Sequence, residues 1–448
     1  MTMKKYLRPF LAGTAALLLA ACGNGGSSND EIQEGSKQSG EGETVEVTYW
    51  HAMNGPHQEA TTELVNQFNE SQDKYKVVEQ NQGDYDTLQQ KIMASAAAQD
   101  GPTMAQVTAS NIPDYSDAGL IQVLDEELLT GEDGFSQEQI DDIFPGFLEG
   151  SKMGDDLYAI PFSKSVRVMY LNQDILDEYE METPTTWEDV QELGEKMQEN
   201  GDDRFALGLE NGFAMELETM ARQNGADWVS DDLSTVDIAS DEATEPMQFI
   251  NDGLDAGWAR TAGEDGFMSG PFGRGEVAVY LGSSAGLAHV EPVAEENGIN
   301  WTTAEIPVYD DGDKLTLLAG NDLSVFSSAS DEEKAGAVAF MSFLLQEEQT
   351  ADWAIKTGYL PITQSGLNSD TYQSYLEENP LAVAASKEAE YAKQSPMFVG
   401  GGEYFNAMVD ALDKIVVNGE DVDQVMADLE EQTISIIEEN NDVTVENN

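Results

Sequence analysis

The sequence predicts an α/β protein. Two observations carry that prediction. Short segments with apolar residues at every second position alternate with longer ones in which they recur every three or four. The chain from Thr44 to Asn448 is also long enough for two or three domains, and a hydrophobic content of 40% can give them real cores.

The elements follow in order. Thr44–Trp50 reads as a strand, with Val45, Val47 and Tyr49 on one face. Pro56 opens a helix, where its missing N–H costs nothing, and Leu64, Val65 and Phe68 share one side of it. Lys76–Glu79 is a second strand. Tyr85–Ala98 is a second helix, with Leu88, Ile92 and Ala96 in four-residue steps, and Met104–Val107 is a third strand. Strand and helix in alternation argue for a parallel sheet. Ala159–Leu171 reads as one extended segment, with Val166, Val168 and Tyr170 on one face and Ser165 with Arg167 on the other. Thr185-Thr186 caps a helix bearing Trp187, Val190, Leu193 and Met197. Glu276–Tyr280 is a strand leading into a Gly/Ser turn. Ser330 and Glu333 form a capping box ahead of Val338, Met341, Leu344 and Leu345. The last third is helical, with apolar stripes at Phe405, Met408, Leu412 and Ile415, then Val425, Leu429 and Ile436. No internal repeat is present.

The N-terminus carries an address. Lys4, Lys5 and Arg8 precede a short apolar stretch, Phe10–Ala21, which is too short to span a membrane and reads as an export signal. It ends Leu19-Ala20-Ala21-Cys22, the pattern of a lipobox, so Cys22 is the expected lipidation site. Cys22 is the only cysteine, which excludes a disulfide within the chain. Residues 22–43 are rich in Gly, Ser, Asn, Glu and Gln and form the expected flexible tether. As a coil it would reach roughly 25 Å.

Charge narrows the partners. With 21 Lys+Arg against 86 Asp+Glu, the surface repels nucleic acid and anionic lipid headgroups. The acids are spread along the chain, which reads as a heavily hydrated surface suited to high salt.

A search for chemistry returns little. His51, His57 and His289 are not spaced as a metal pair, Asp310–Asp313 lacks the calcium-loop pattern, and no cofactor motif is found. Gly282-Ser283-Ser284-Ala285-Gly286 matches the nucleophile elbow, but the only histidine after it is His289, with no acid between. A secreted serine hydrolase using Ser284 is therefore a remote reading, and no catalytic residue is assigned.

Five motifs then occur in order. They are Trp50-His51-Ala52-Met53, Gln82-Gly83-Asp84-Tyr85, Tyr158-Ala159-Ile160-Pro161-Phe162-Ser163, Thr185-Thr186-Trp187-Glu188-Asp189-Val190 and Thr357-Gly358-Tyr359-Leu360-Pro361-Ile362-Thr363. Together they resemble the bacterial extracellular solute-binding proteins of family 1, the maltose-binding-like group. Within that group the pattern is nearest that of the glycerol-3-phosphate-binding component of an ABC importer. The resemblance implies a type II periplasmic-binding-protein fold, two α/β lobes joined by crossover strands with the ligand cleft between them. It divides the chain into residues 44–159 plus 310–346 for the first lobe and 160–309 plus 347–448 for the second, with crossings near Pro161, Pro307 and Gln346. The expected partners are a small solute, importer membrane subunits and, through Cys22, the membrane; the chain is expected to be a monomer on the outer face of the cytoplasmic membrane.

The resemblance also implies ligand residues. Tyr85, Ser165, Ser283, Gly320 and Tyr359 match cleft positions, Trp50 and His51 are placed at the cleft floor, and Phe213 and Tyr404 are the remaining aromatic platforms. Where the family member has a carboxylate, this chain has Thr108 and Ala109. Where it has a phosphate-gripping arginine, this chain reads Glu403-Tyr404-Phe405-Asn406-Ala407. Arg167 is the one candidate phosphate partner. The resulting expectation is a carbohydrate ligand, with glycerol-3-phosphate or its diesters as the alternative.

Overall fold

The computed structural model describes residues 44–98, 101–309 and 312–446. The expected signal, tether and Cys22 lie outside the described residues.

The first lobe starts as the periodicity predicts. Strand β1 (Val45–His51) leads to helix α1 (Gly55–Ser71), then β2 (Tyr75–Asn81), α2 (Tyr85–Ala98) and β3 (Met104–Val107). β1 lies between β2 and β3 and is parallel to both. A short helix, α3 (Ile112–Asp117), follows β3. The extended segment at 159–171 is not one strand. It is two, β4 (Ile160–Ser165) and β5 (Arg167–Asn172), and they belong to different sheets. The alternation of side chains runs on through Val166, so the pattern conceals the exchange. The chain thus leaves the first sheet at Val166, later than the boundary expected near Pro161.

The second lobe takes α4 (Trp187–Glu199), β6 (Phe205–Leu209), α5 (Ala214–Gln223), α6 (Asp241–Ala256), β7 (Ala259–Thr261), β8 (Val277–Ser283), α7 (Leu287–Asn297) and β9 (Trp301–Ala304). Its sheet runs β7-β6-β8-β5-β9. The chain then returns, and β10 (Ala319–Val325) enters the first sheet antiparallel to β3 and β4, giving the order β2-β1-β3-β10-β4. Helix α8 (Asp331–Leu344) starts at the capping box of Ser330 and Glu333 and packs on β1. Helix α9 (Glu347–Thr357) packs on α1, Phe144 N–H donates to Ile362 O, and Thr363 pairs with Ile143. Residues 347–363 therefore stay with the first lobe, although the sequence division gave them to the second. Helices α10 (Gly401–Val416) and α11 (Val422–Asn440) pack on α5 and α6 of the second lobe.

Two large cores are present. One holds Tyr49, Phe68, Val77, Met104 and Phe340 of the first lobe and runs on through the junction to Tyr170, Phe272 and Tyr280 on one face of the second sheet; the other, within the second lobe, holds Trp187, Leu207, Trp228, Met247, Met408 and Met426. Burial of each large side chain stabilises the fold by about 1.5–3 kcal/mol. Within the first of these cores, Phe162 stacks on Trp353 at 4.7 Å, and Trp353 on Tyr359 at 5.9 Å. This aromatic stack sits where the first-lobe strands hand over to the second sheet and braces the junction. No helix of the described residues is long and apolar enough to cross a membrane.

Candidate functional site

In sheets of this kind ligands bind outside the carboxyl ends of the parallel strands. In the first lobe those ends are His51 and Val107, and in the second Leu209 and Ser283. Of the residues named from the sequence, Tyr85, Ser165, Arg167, Ser283, Gly320 and Tyr359 lie there along one strip.

The strip begins on the first lobe. Asn321 Nδ2 donates to Tyr85 Oη at 2.8 Å, and Tyr85, the first residue of α2, is 37% exposed. Asn321 itself is fully buried, and its Oδ1 has no partner among the described residues; neither have the buried Ser163 and Ser284 hydroxyls. Buried polar groups of this sort are usually satisfied, so they mark where a ligand hydroxyl could bond. Gly320 has φ +99°, and a Cβ there would lie 1.7 Å from Ser163 O, so only glycine lets β10 run this close to β4. Leu360 N–H donates to Lys164 O and so places Tyr359 beside the same strands. The Tyr359 ring stacks on Trp353 and lies 5.2 Å from His57.

The strip continues into the second lobe. Ser283 Oγ donates to Ser165 Oγ at 2.9 Å, across the point where the chain changes sheets. Arg167 pairs in register with Ser283. Its Nε lies 2.8 Å from Glu216 Oε1, in an ion pair whose side chains are 15% and 4% exposed. Beside it, Glu210 accepts from Tyr280 Oη and from Met268 N–H, and burial pushes its carboxyl above the usual range. The other cation of the strip, Lys164, is 2.7 Å from Asp322 Oδ1 and just as buried. Burial raises the Asp322 carboxyl, and Lys164 opposes that rise. Both cations near the strip are thus neutralised by the protein.

Three expectations change. Phe213 is 1% exposed and sits in the second-lobe core ahead of α5, so it offers no face to a ligand. Tyr404 is 4% exposed, and its hydroxyl accepts from Trp228 Nε1 at 2.7 Å. It is a core residue, and its neighbour Phe405 is the exposed aromatic of that helix turn. Trp50 is half-buried and donates through Nε1 to Gln80, against the α2 face of the first lobe. His51 is buried, accepting from Met53 N–H, and serves the β1–α1 turn. The residues that sequence reasoning missed are Asn321, Glu216 and Asp114. Asn321 directly follows Gly320, a position the resemblance had already placed at the cleft. The other two depend on contacts between distant segments.

His57, on α1, donates from Nε2 to Thr357 O at 3.0 Å, and its ring meets that of His289, on α7, edge to face at 4.8 Å. Burial, and then the His289 charge, push His57 down to about 4. Ser284 has no histidine on its hydroxyl, and no metal-binding group of three or more His, Cys, Asp or Glu occurs among the described residues.

Comparison with known proteins bears on the family and the fold. The family model described as "Bacterial extracellular solute-binding protein" matches residues 63–380. The sn-glycerol-3-phosphate-binding periplasmic protein of Rhizobium meliloti (strain 1021) is 28% identical over 353 residues, covering 75% of this chain and 79% of its own. Its Escherichia coli (strain K12) counterpart is 24% identical over 357 residues, 76% of this chain and 80% of its own. Among solved structures, the Mycobacterium tuberculosis protein UgpB in complex with glycerophosphocholine superposes with a TM-score of 0.79 at 21% identity, covering 89% of this chain and 99% of that one. The cyclic alpha-maltosyl-1,6-maltose binding protein from Arthrobacter globiformis superposes with a TM-score of 0.73 at 21% identity, covering 89% and 100%.

Proposed function

This chain belongs to the bacterial extracellular solute-binding proteins, and from that premise we propose that it captures a neutral carbohydrate and presents it to an ABC importer. It is a binding protein, not an enzyme. The observation that carries the ligand class is the pairing of both cations near the strip, Arg167 with Glu216 and Lys164 with Asp322. A phosphate would have to displace a buried carboxylate to reach either one, leaving that carboxylate without its partner. What stays available is neutral: the Tyr85 hydroxyl, Asn321 Oδ1 and the Ser165–Ser283 pair. Such groups suit sugar hydroxyls, and the exposed ring of Tyr85 suits an apolar sugar face. The solved relatives include proteins whose ligands are maltose-type sugars.

Capture works by differential affinity. Ligand bonded to Tyr85 and Asn321 on one lobe and to Ser283 on the other is held only when the lobes come together, so binding shifts the population toward the closed form. A second reading, a glycerophosphodiester or glycerol-3-phosphate, is favoured by the names of the curated relatives and by the glycerophosphocholine complex. In that case Arg167 would exchange Glu216 for the phosphate. Melting of the folded body against sugars, polyols, glycerol-3-phosphate and glycerophosphocholine separates the two. Ligand at 100 times its dissociation constant adds about 2.7 kcal/mol. A response to phosphates alone would overturn the carbohydrate reading.

The anchor belongs to the same proposal. Cys22 becomes lipidated after export and holds the chain, as a monomer, to the outer face of the cytoplasmic membrane. Metabolic labelling with a fatty acid should mark the parent and not Cys22→Ala, which should appear in the medium.

A further inference from the structure

The lobes also meet away from the strand junction. Helix α10 starts Gly401-Gly402, with Gly400 at its N-cap and no side chain of its own capping it. The first N–H groups of a helix have no partner within it, and that end carries partial positive charge. Here the partner comes from the opposite lobe. Gly400 N–H donates to Asp114 Oδ1 at 2.6 Å, and Gly402 N–H donates to Asp114 Oδ2 at 3.2 Å. Asp114 is on α3, directly after the carboxyl end of β3, and its neighbours Ile112 and Tyr115 are in a first-lobe cluster. Tyr404 and Met408, on α10, are in the second-lobe core. The approach needs the glycines. A Cβ on Gly401 would lie 2.7 Å from Ser110 O, and one on Gly402 would lie 3.0 Å from Gln89 Nε2 and 3.1 Å from Asp114 Oδ2. Gln89 is one helical turn beyond Tyr85, so this contact borders the ligand strip.

We infer that Asp114 is a specificity-determining residue: a carboxylate of the first lobe that docks on the amide end of α10 and gives the closed cleft its own anion there. A ligand anion reaching this end meets both a taken set of N–H groups and a like charge, whereas an uncharged ligand meets neither. The selectivity deepens the carbohydrate reading and rests on it; the interlobe contact itself does not.

The experiment uses the folded body with Asp114→Ala, Asp114→Asn and Gly401→Ala, the last of which opens the contact without touching the charge. Hydrogen exchange of the Gly400–Gly402 peptide should quicken by about tenfold in Asp114→Ala and Gly401→Ala, as expected for loss of bonds to a charged acceptor. Inorganic phosphate should raise the melting temperature of Asp114→Ala, and less that of Asp114→Asn, with the gain screened by added salt; parent and Gly401→Ala should not respond. Unchanged exchange in both Asp114→Ala and Gly401→Ala would overturn the clasp whatever the ligand proves to be. Quickened exchange without any gain of phosphate response in Asp114→Ala would overturn the selectivity role. A parent response to phosphate as large as that of Asp114→Ala would overturn it too. Binding of sugar-free glycerol phosphate by the parent would sink the carbohydrate reading and the selectivity role together, and the exchange result would still decide the clasp.

Discussion

The two walls of the cleft are built on different terms. On the first lobe the charged groups, Lys164 with Asp322 and Asp114 with the α10 amides, are already bonded, and the side chains left to meet a ligand, Tyr85, Gln89, Asn111 and Asn321, are neutral; these bond one another singly and keep capacity in reserve, as with Asn321 Oδ1. On the second lobe, Arg167 is held by Glu216 and Glu210 by Tyr280 and the Met268 amide, while Ser283 is tied across the junction to Ser165. The neutral wall can trade a bond for a ligand hydroxyl at small cost. The charged wall cannot trade without stranding a buried charge. Recognition should therefore reside on the first wall and rigidity on the second.

The strongest way to break this comparison is Arg167→Ala. It leaves Glu216, 4% exposed, without its cation, and should cost about 3–5 kcal/mol of stability in urea denaturation. The double change Arg167→Met with Glu216→Leu removes both charges and should recover most of that loss. If the single change costs under about 1 kcal/mol, the second wall is not a committed ion pair, and Arg167 is free for a phosphate.

Acid should act next, and on the contact between lobes. His57 is 8% exposed and held down to about 4, against about 6.5 unfolded. The group facing it from α7 is His289, which burial also lowers, with Tyr359 and the Thr357 and Ala285 backbone beside it. The folded state thus binds fewer protons than the unfolded state between these values. Stability at this site is intact above about 6.5 and is lost as pH falls toward 4, by roughly 3 kcal/mol. His57→Gln should flatten that part of the stability profile. A profile as steep as the parent's would show that His57 is not the group responsible.

Much of this was legible in the sequence because apolar spacing fixes elements locally. The first three strands and two helices, the Thr186 and Ser330 caps and the two last helices stand where their periodicity put them. The strip was not legible from spacing: Tyr85, Ser165, Ser283, Gly320 and Tyr359 were named through the resemblance, and in the structure they lie on elements whose ends converge. The misses share a cause, which is direction. Successive residues of a helix are turned by about 100°, so Tyr404 points into the core while Phe405 stays exposed. A β-pattern carries straight on through Val166 while the chain changes sheets. Glu216 and Asp114 gain their meaning only from Arg167 and Gly400, and no local spacing records those meetings.

The smallest expected change in stability is the most informative about recognition. Tyr85→Phe removes one hydroxyl from a ring already 37% exposed and leaves Asn321 Nδ2 without its acceptor. The stability cost should be about 1 kcal/mol, near the net value of a single hydrogen bond. Sugar affinity should fall by about tenfold or more, because the same hydroxyl is lost from the ligand face in the closed state. The ratio is the point: on the first wall a change should cost binding more than folding, and on the second wall the reverse. Were Tyr85→Phe to destabilise the fold as much as Arg167→Ala, both walls would be structural, and recognition would have to be sought at the α10 end of the cleft instead.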